Sequence, residues 1–187
     1  MDHYLEIRLL PDPEFAPSVL MNALFAKLHR ALAKSSSKMI GISFPDVQHE
    51  KPTLGNRLRL HGKAENLQHL MDLEWLTGMR DHTTTSGLKP VPENIRHRIV
   101  RRVQVKSNPE RLRRRWMKRK GITEEEARRA LPDNAAKQLK LPFVTIKSQS
   151  TGQVFRLFID HQPIINENLN GEFSCFGLSS STTVPWF

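Results

Sequence analysis

Few residues in this chain have types and spacing suited to chemistry. Of its eight histidines, none belongs to an HExxH pair or to a cluster with metal-ligand spacing. No GxxxxGK[ST] or GxGxxG loop is present to cradle a phosphate. The acidic pairs (Asp72 with Glu74, and 124–126) sit in helix-like patterns, where solvation and capping explain them, so two-metal nuclease chemistry has no obvious ligands. Metal-free chemistry stays open. An RNA strand brings its own nucleophile, the 2′-OH, and its cleavage needs only a base, a positioning group and charge stabilisation. His29 is the candidate base: it follows Leu28 but lies off the Leu20/Leu24/Leu28 stripe. Ser148, Ser150 and Thr151, in KSQSTG, offer hydroxyls of the kind that hold a ribose or a phosphate. Each also has a plainer reading, as a half-buried helix histidine and as the polar residues of a tight turn.

The strongest signal is NPERLRRRWMKRK, residues 108–120, in which seven of thirteen residues are Arg or Lys. Asn108 suits an N-cap, Pro109 the first helical position, and Gly121 a stop. At helical pitch Arg111, Arg114, Arg115, Lys118 and Arg119 share one arc, with Leu112 and Trp116 beside it as anchors. Residues 96–120 hold 12 basic residues and one acid, a net +11 in a chain of net +10, so the rest of the chain is close to neutral. Clustered guanidinium forks without interspersed acids point to a polyanion, and above all to nucleic acid.

The totals narrow the class. A chain of 187 residues with 38% hydrophobic and 26% charged content suits a globular protein of one large or two small domains. No apolar run approaches a membrane span, and MDHYLEIRLL lacks the pattern of a signal peptide. One cysteine, Cys175, leaves no internal disulfide; we expect it as a small buried hydrophobe in a strand and the protein in the cytoplasm.

Hydropathy spacing gives the elements that must position these groups. Strand patterns fall at 4–10, 39–44 and 57–61, with a weak one at 79–84, and amphipathic helices at 18–34 and 64–76. That order is the ferredoxin-like βαββαβ unit, and the Pro- and Gly-containing stretch 86–92 is the boundary candidate. Beyond it come an extended basic segment around Ile99 and Val103, the arginine helix, and a helix opened by the capping box at Thr123. A short helix is expected over 133–139, a hairpin over 143–148 and 153–159, a strand over 172–178, and a docked aromatic tail at 184–187. The expected fold class is α+β: an N-terminal ferredoxin-like domain, residues 1–92, and a C-terminal α+β domain, residues 93–187, carrying the arginine-rich helix.

Several longer blocks resemble one family. DHYLEIRL followed by PDPEF, KLHRAL around His29, IGISFPD, RRVQVKSNPERLRRR, LPFVTIKSQSTGQVFRLFI and the ending VPWF together look like the CRISPR-associated endoribonucleases of the type I-F system. The resemblance runs over essentially the full length. It implies metal-independent cleavage of precursor CRISPR RNA at a repeat hairpin, with no cofactor. His29 would act as general base and Ser148 would orient the 2′-OH. Ser150 and Thr151 would be phosphate-side contacts. Arg115, Lys118 and Arg119 would contact groove and phosphates, Arg102 and Gln104 would read the lowest base pairs, and Phe155 would stack on a terminal base. The implied partners are the repeat hairpin, the mature guide RNA and the other subunits of the type I-F interference complex, with no membrane.

Two positions depart from the family pattern. Phe176 stands where a tyrosine can occur, which removes a hydroxyl near the histidine, and Lys118 stands where arginine can occur, which removes a fork. Two other readings compete: a catalytically inactive RNA-hairpin-binding subunit, supported by Phe176, and a DNA-binding regulator, for which a basic helix alone suffices.

Overall fold

The computed structural model describes residues 1–48, 50, 52–104, 109–130, 139–148 and 152–187, with the side chains of 109–112 outside that description. The protein is α+β, as expected. Two compact units emerge, one of Met1–Val103 with Leu141–Phe187, the other of Gln104–Lys140.

The first unit holds two four-stranded antiparallel sheets. One is built from β1 (His3–Leu9), β2 (Gly41–Ser43), β3 (Arg57–Gly62) and β4 (Thr83–Pro90) in the order β2-β3-β1-β4. With α1 (Pro17–Ser35) and α2 (Ala64–Asp72) between the strands, this is the βαββαβ order read from the sequence. The other sheet, β5 (Arg96–Val103), β6 (Phe143–Lys147), β7 (Val154–His161) and β8 (Thr183–Trp186), runs β6-β7-β5-β8. The first sheet therefore lies wholly before residue 92 and the second wholly after it, while both share one compact unit.

Helix α1 has two working faces. Pro17 at its first turn supplies a pre-set φ, and Ser36, in the left-handed region at φ 52°, ends it. Leu20, Met21, Leu24, Phe25, Leu28 and Leu32 are buried in the core shared with Leu5, Ile7, Leu58 and Leu60. At fully buried positions each such side chain contributes about 1.5–3 kcal/mol. The other face turns to β6: Asn22 Oδ1 accepts the Thr145 N–H at 2.8 Å. Strand β6 is the edge of its sheet, so this bond ties helix to edge.

Several expectations need correction. Helix α2 stops at Asp72 rather than near 76, because Glu74 takes φ 47° and turns the chain, leaving Trp75 and Leu76 buried in a loop with helix-like spacing. The fourth strand begins at Thr83, after a 3₁₀ turn at Arg80–His82, and runs to Pro90. It is an edge strand, mostly exposed, so hydropathy could not mark it. The boundary candidate 86–92 thus lies largely inside a strand. There Gly87 at φ 71° makes room for a register shift opposite Leu5 and Ile7, and Ser86 Oγ accepts the Glu6 N–H. Residues 172–178 form a turn, not a strand, and Cys175 is exposed rather than buried. Asn108 and residues 133–138 lie outside the described residues.

The aromatic tail docks as expected, through β8 and beyond. Arg59, on central strand β3, is only 4% exposed because Phe187 covers it: its guanidinium lies 3.8 Å from the Phe187 ring and donates to the Phe187 carbonyl at 2.8 Å. Glu6 Oε1 accepts from Arg59 Nε at 2.9 Å and Nη2 at 2.7 Å, neutralising the buried cation.

The second unit carries α3 (Pro109–Lys120) and α4 (Glu124–Ala130). Gly121, at φ 62°, ends α3, and its N–H returns to the Met117 carbonyl. The capping box closes α4 reciprocally: Thr123 N–H donates to the Glu126 carboxylate at 2.9 Å, and Glu126 N–H to Thr123 Oγ1 at 3.3 Å.

Candidate active site

His29 sits five to nine residues after the core positions that fix α1 (Leu20 and Leu24), on the face that Asn22 ties to β6. Ala26, Arg30 and Ala33 recur around it at helical spacing and line one cleft with it. The opposite wall is the end of β6 with the residue next after it: Ile146, Lys147 and Ser148. Phe155 and Phe176 complete the cleft, whose volume is about 430 Å³. His29 and Ser148, 119 positions apart in sequence, therefore face one space.

The histidine is held on two sides. Its Nδ1 lies 2.9 Å from the Cys175 carbonyl oxygen. A carbonyl only accepts, so Nδ1 carries the hydrogen. In the neutral ring Nε2 then keeps its lone pair, the arrangement a general base requires. The ring also lies against Phe176, with centroids 4.1 Å apart and planes 13° from parallel. Phe176 in turn stacks toward Phe25 in the core, at 6.4 Å and 13°.

Ser148 is half-buried at the foot of the β6–β7 hairpin. Its N–H donates to the Gln153 carbonyl at 2.8 Å and its carbonyl accepts the Gly152 N–H at 2.9 Å, so the hairpin's closing bonds fix the backbone that carries the hydroxyl. Ser150 and Thr151 lie outside the described residues.

The basic residues of β5 divide by role. Arg98 donates to the carbonyls of Gln162 at 2.5 Å and His161 at 3.0 Å and stacks under Trp186, and burial pulls its pKa below the ordinary arginine value. Arg101 pairs with Asp160 at 2.9 Å across the β5–β7 ladder. Arg102 points the other way, exposed, its guanidinium 5.7 Å from the Phe155 ring and 5.5 Å from the Phe176 ring. No acid among the described residues pairs with it. Gln104 is exposed just past the strand.

On α3, Arg114, Arg115, Lys118, Arg119 and Lys120 are exposed, while Arg113 is buried and Trp116 half-buried, with Lys120 Nζ 4.5 Å from its ring. The side chains of Arg111 and Leu112 are outside the described residues.

A profile of the Cas_Csy4 family of CRISPR-associated proteins matches residues 4–187. The chain belongs to that family. It is 54% identical over 187 residues to the CRISPR-associated endonuclease Cas6/Csy4 of Pseudomonas aeruginosa (strain UCBPP-PA14), covering all of both chains. Against the protein of the same name from Escherichia coli (strain UTI89 / UPEC) it is 52% identical over 187 residues, again covering all of both. With full-length identity at this level, the chain is an endonuclease of the Csy4 family.

Sequence reasoning missed three parts of this candidate site. Asn22 carries no pattern signal: it is a polar residue on a helix face that hydropathy reads as outward. The Cys175 carbonyl is invisible because any residue type supplies one. Arg30 stood beside the candidate histidine, and only the alanines flanking it hinted at an open wall.

Among the described residues no helix is long and apolar enough to cross a membrane.

Proposed function

We propose that this endonuclease cleaves precursor CRISPR RNA at the repeat hairpin without a metal and stays bound to the mature guide RNA. The base would be His29 through Nε2, which takes the proton of the 2′-OH as O2′ bonds to the adjacent phosphorus. The P–O5′ bond breaks, the 5′-oxygen leaves with a proton, and the products are a 2′,3′-cyclic phosphate and a 5′-OH. Ser148 would orient the 2′-OH. Phe155 would stack on a terminal base and Phe176 would pack the base ring. Arg102 and Gln104 would read the lowest base pairs by bidentate contacts. Arg111, Arg114, Arg115, Lys118 and Arg119 would grip groove and backbone, with Ser150 and Thr151 on the phosphate. An A-form major groove is deep and narrow, but a short hairpin open at its ends admits a helix. In this reading residues 1–92 form the domain bearing the base and residues 93–187 the RNA-binding domain. The protein works in the cytoplasm and joins the other subunits of a type I-F interference complex.

The observation that carries the proposal is the shared cleft of His29 and Ser148, with Nδ1 committed to the Cys175 carbonyl. One gel tests it. Purified protein is incubated with its own repeat RNA in excess chelator, beside His29→Ala. Cleavage to a cyclic-phosphate end by the wild type and intact RNA bound by the variant is the expected result. No cleavage by the wild type favours the inactive subunit, and equal competition by duplex DNA of the same sequence favours the regulator.

A further inference from the structure

The Cys175 carbonyl that meets His29 belongs to a turn anchored by its own hydrogen bonds and by the first sheet. Ser174 N–H and Oγ–H both donate to the Leu178 carbonyl, at 2.9 and 2.8 Å, and Gly177 N–H donates to the Ser174 carbonyl at 2.8 Å. Gly177 stands at φ 69°, and a Cβ there would fall 2.6 Å from Ile42 Cγ2, so only glycine fits both the backbone and the space. The turn is bolted to the edge of the first sheet. The Gly177 carbonyl accepts the Ile42 N–H at 2.9 Å, and Phe173 N–H donates to the Lys38 carbonyl at 2.9 Å. The Phe173 ring occupies the space beside Gly41, where a Cβ would lie 2.7 Å from it.

Helix α1 packs on the same sheet, through the core that contains Leu24, Phe25, Leu28 and Ile42. The histidine and the carbonyl it meets are thus both referenced to one rigid body. That is what a tautomer lock needs, since a displacement of about 1 Å turns a hydrogen bond near 2.9 Å into none. In hydrolases with a Ser-His-Asp triad a carboxylate performs this task by holding the Nδ1 hydrogen.

We infer that the turn over residues 174–178 is a positioning device for the base, with Ser174 and Gly177 as positioning residues that act through the Cys175 carbonyl on the His29 tautomer. The inference rests on the reading of His29 as the base. A carbonyl gives orientation without a second negative charge, which suits a cleft that must receive phosphate. The exposed Cys175 side chain is incidental; its backbone oxygen is the working atom.

The test uses the full-length protein and a repeat hairpin, with Ser174→Ala, Gly177→Ala, His29→Ala and the double variants. Single-turnover cleavage is read at saturating protein, and binding is read on a hairpin with a 2′-deoxy nucleotide at the cut. Gly177→Ala is expected to slow cleavage roughly ten- to a hundredfold, the scale of outer-shell partners. Ser174→Ala is expected to slow it roughly fivefold, the scale of one net hydrogen bond. Binding stays within about twofold for both. The ¹⁵N shifts of the His29 ring should report the hydrogen on Nδ1 in the wild type and a mixed population in the variants. Over incubations long enough to reveal slow cleavage by His29→Ala, neither turn substitution should slow it further.

Unchanged cleavage in the folded Ser174→Ala protein with a shifted tautomer overturns the inference. So does slowed cleavage with an unchanged tautomer, or an equal loss in the His29→Ala background. If Gly177→Ala does not fold, Ser174→Ala decides. Wild-type cleavage by His29→Ala itself sinks the base assignment instead, which keeps the two failures apart.

Discussion

The His29 ring lies face to face with Phe176, their centroids 4.1 Å apart. Phe176 has no hydroxyl, so whatever it does for His29 it does by packing. It excludes water from one face of the imidazole and prevents the ring from tilting off the Cys175 carbonyl. We predict that Phe176→Ala slows single-turnover cleavage about tenfold or more and destabilises the fold by about 2 kcal/mol, since the ring also meets Phe25. Phe176→Tyr keeps the ring and should cleave within about threefold of wild type. A much larger gain in the tyrosine variant would mean that a donor at this position takes part in the reaction.

How much of this was legible beforehand differs by element. The strong amphipathic pattern of α1 gave its place within a residue or two, because the stripe from Leu20 to Leu32 is a long, single-faced signal. Strand β4 was misplaced because an edge strand with exposed threonines has no alternation to detect. The segment 172–178 alternates Phe173, Cys175 and Gly177 like a strand, yet Gly177 takes a positive φ that folds it into a turn. Nothing local to either segment could show His29 and Ser148 facing one cleft. That convergence depends on α1 packing along β6, and its tie is a polar side chain on a helix surface.

That tie yields the next prediction. Asn22 Oδ1 accepts the Thr145 N–H on the outer edge of β6, three residues before Ser148. Asn22→Ala leaves that edge N–H without its partner, at a cost of about 1–2 kcal/mol. The wall carrying Ser148 is then free to move against the wall carrying His29. We expect a lower Tm and single-turnover cleavage reduced about fivefold, with hairpin affinity within about twofold of wild type. Asn22→Asp keeps the acceptor and should retain most of the rate. If Asn22→Ala cleaves normally while losing stability, the tie is structural only.

His61 provides a pH signature unrelated to cleavage. It is fully buried on β3, with Nε2 2.8 Å from Ser43 Oγ, and burial holds its pKa well below the ordinary 6.5. Linkage sets the sign. Below about pH 6.5 the unfolded chain takes up a proton that the folded chain does not, so stability falls as pH drops, by up to about 1.4 kcal/mol per pH unit. Above that pH the group is neutral in both states and contributes no slope. In His61→Gln, which cannot protonate and can still meet Ser43, the decline in Tm from pH 7.5 to 5.5 should be shallower. Parallel curves for the two proteins would show that the proton uptake lies elsewhere.

The arginine helix makes the last prediction, and it separates grip from chemistry. Arg114, Arg115, Lys118 and Arg119 project from α3 into solvent, and no acid of α3 beyond residue 112 lies between them. Holding such a face bare costs self-repulsion, which a phosphate backbone removes by releasing its condensed counterions. Arg115→Ala should therefore weaken hairpin binding, by about 1–3 kcal/mol where the guanidinium meets a base edge and by less where it meets phosphate alone. Only a phosphate contact changes the salt dependence, flattening the slope of log affinity against log salt by about one. Arg115→Lys keeps charge without the fork, so it preserves the salt slope in either case and restores affinity only where phosphate alone is touched. Single-turnover cleavage at saturating protein should stay near wild type for both variants, since saturation removes a loss of grip from the readout. A fall in that saturated rate would mean that α3 sets the position of the scissile phosphate as well as holding the stem.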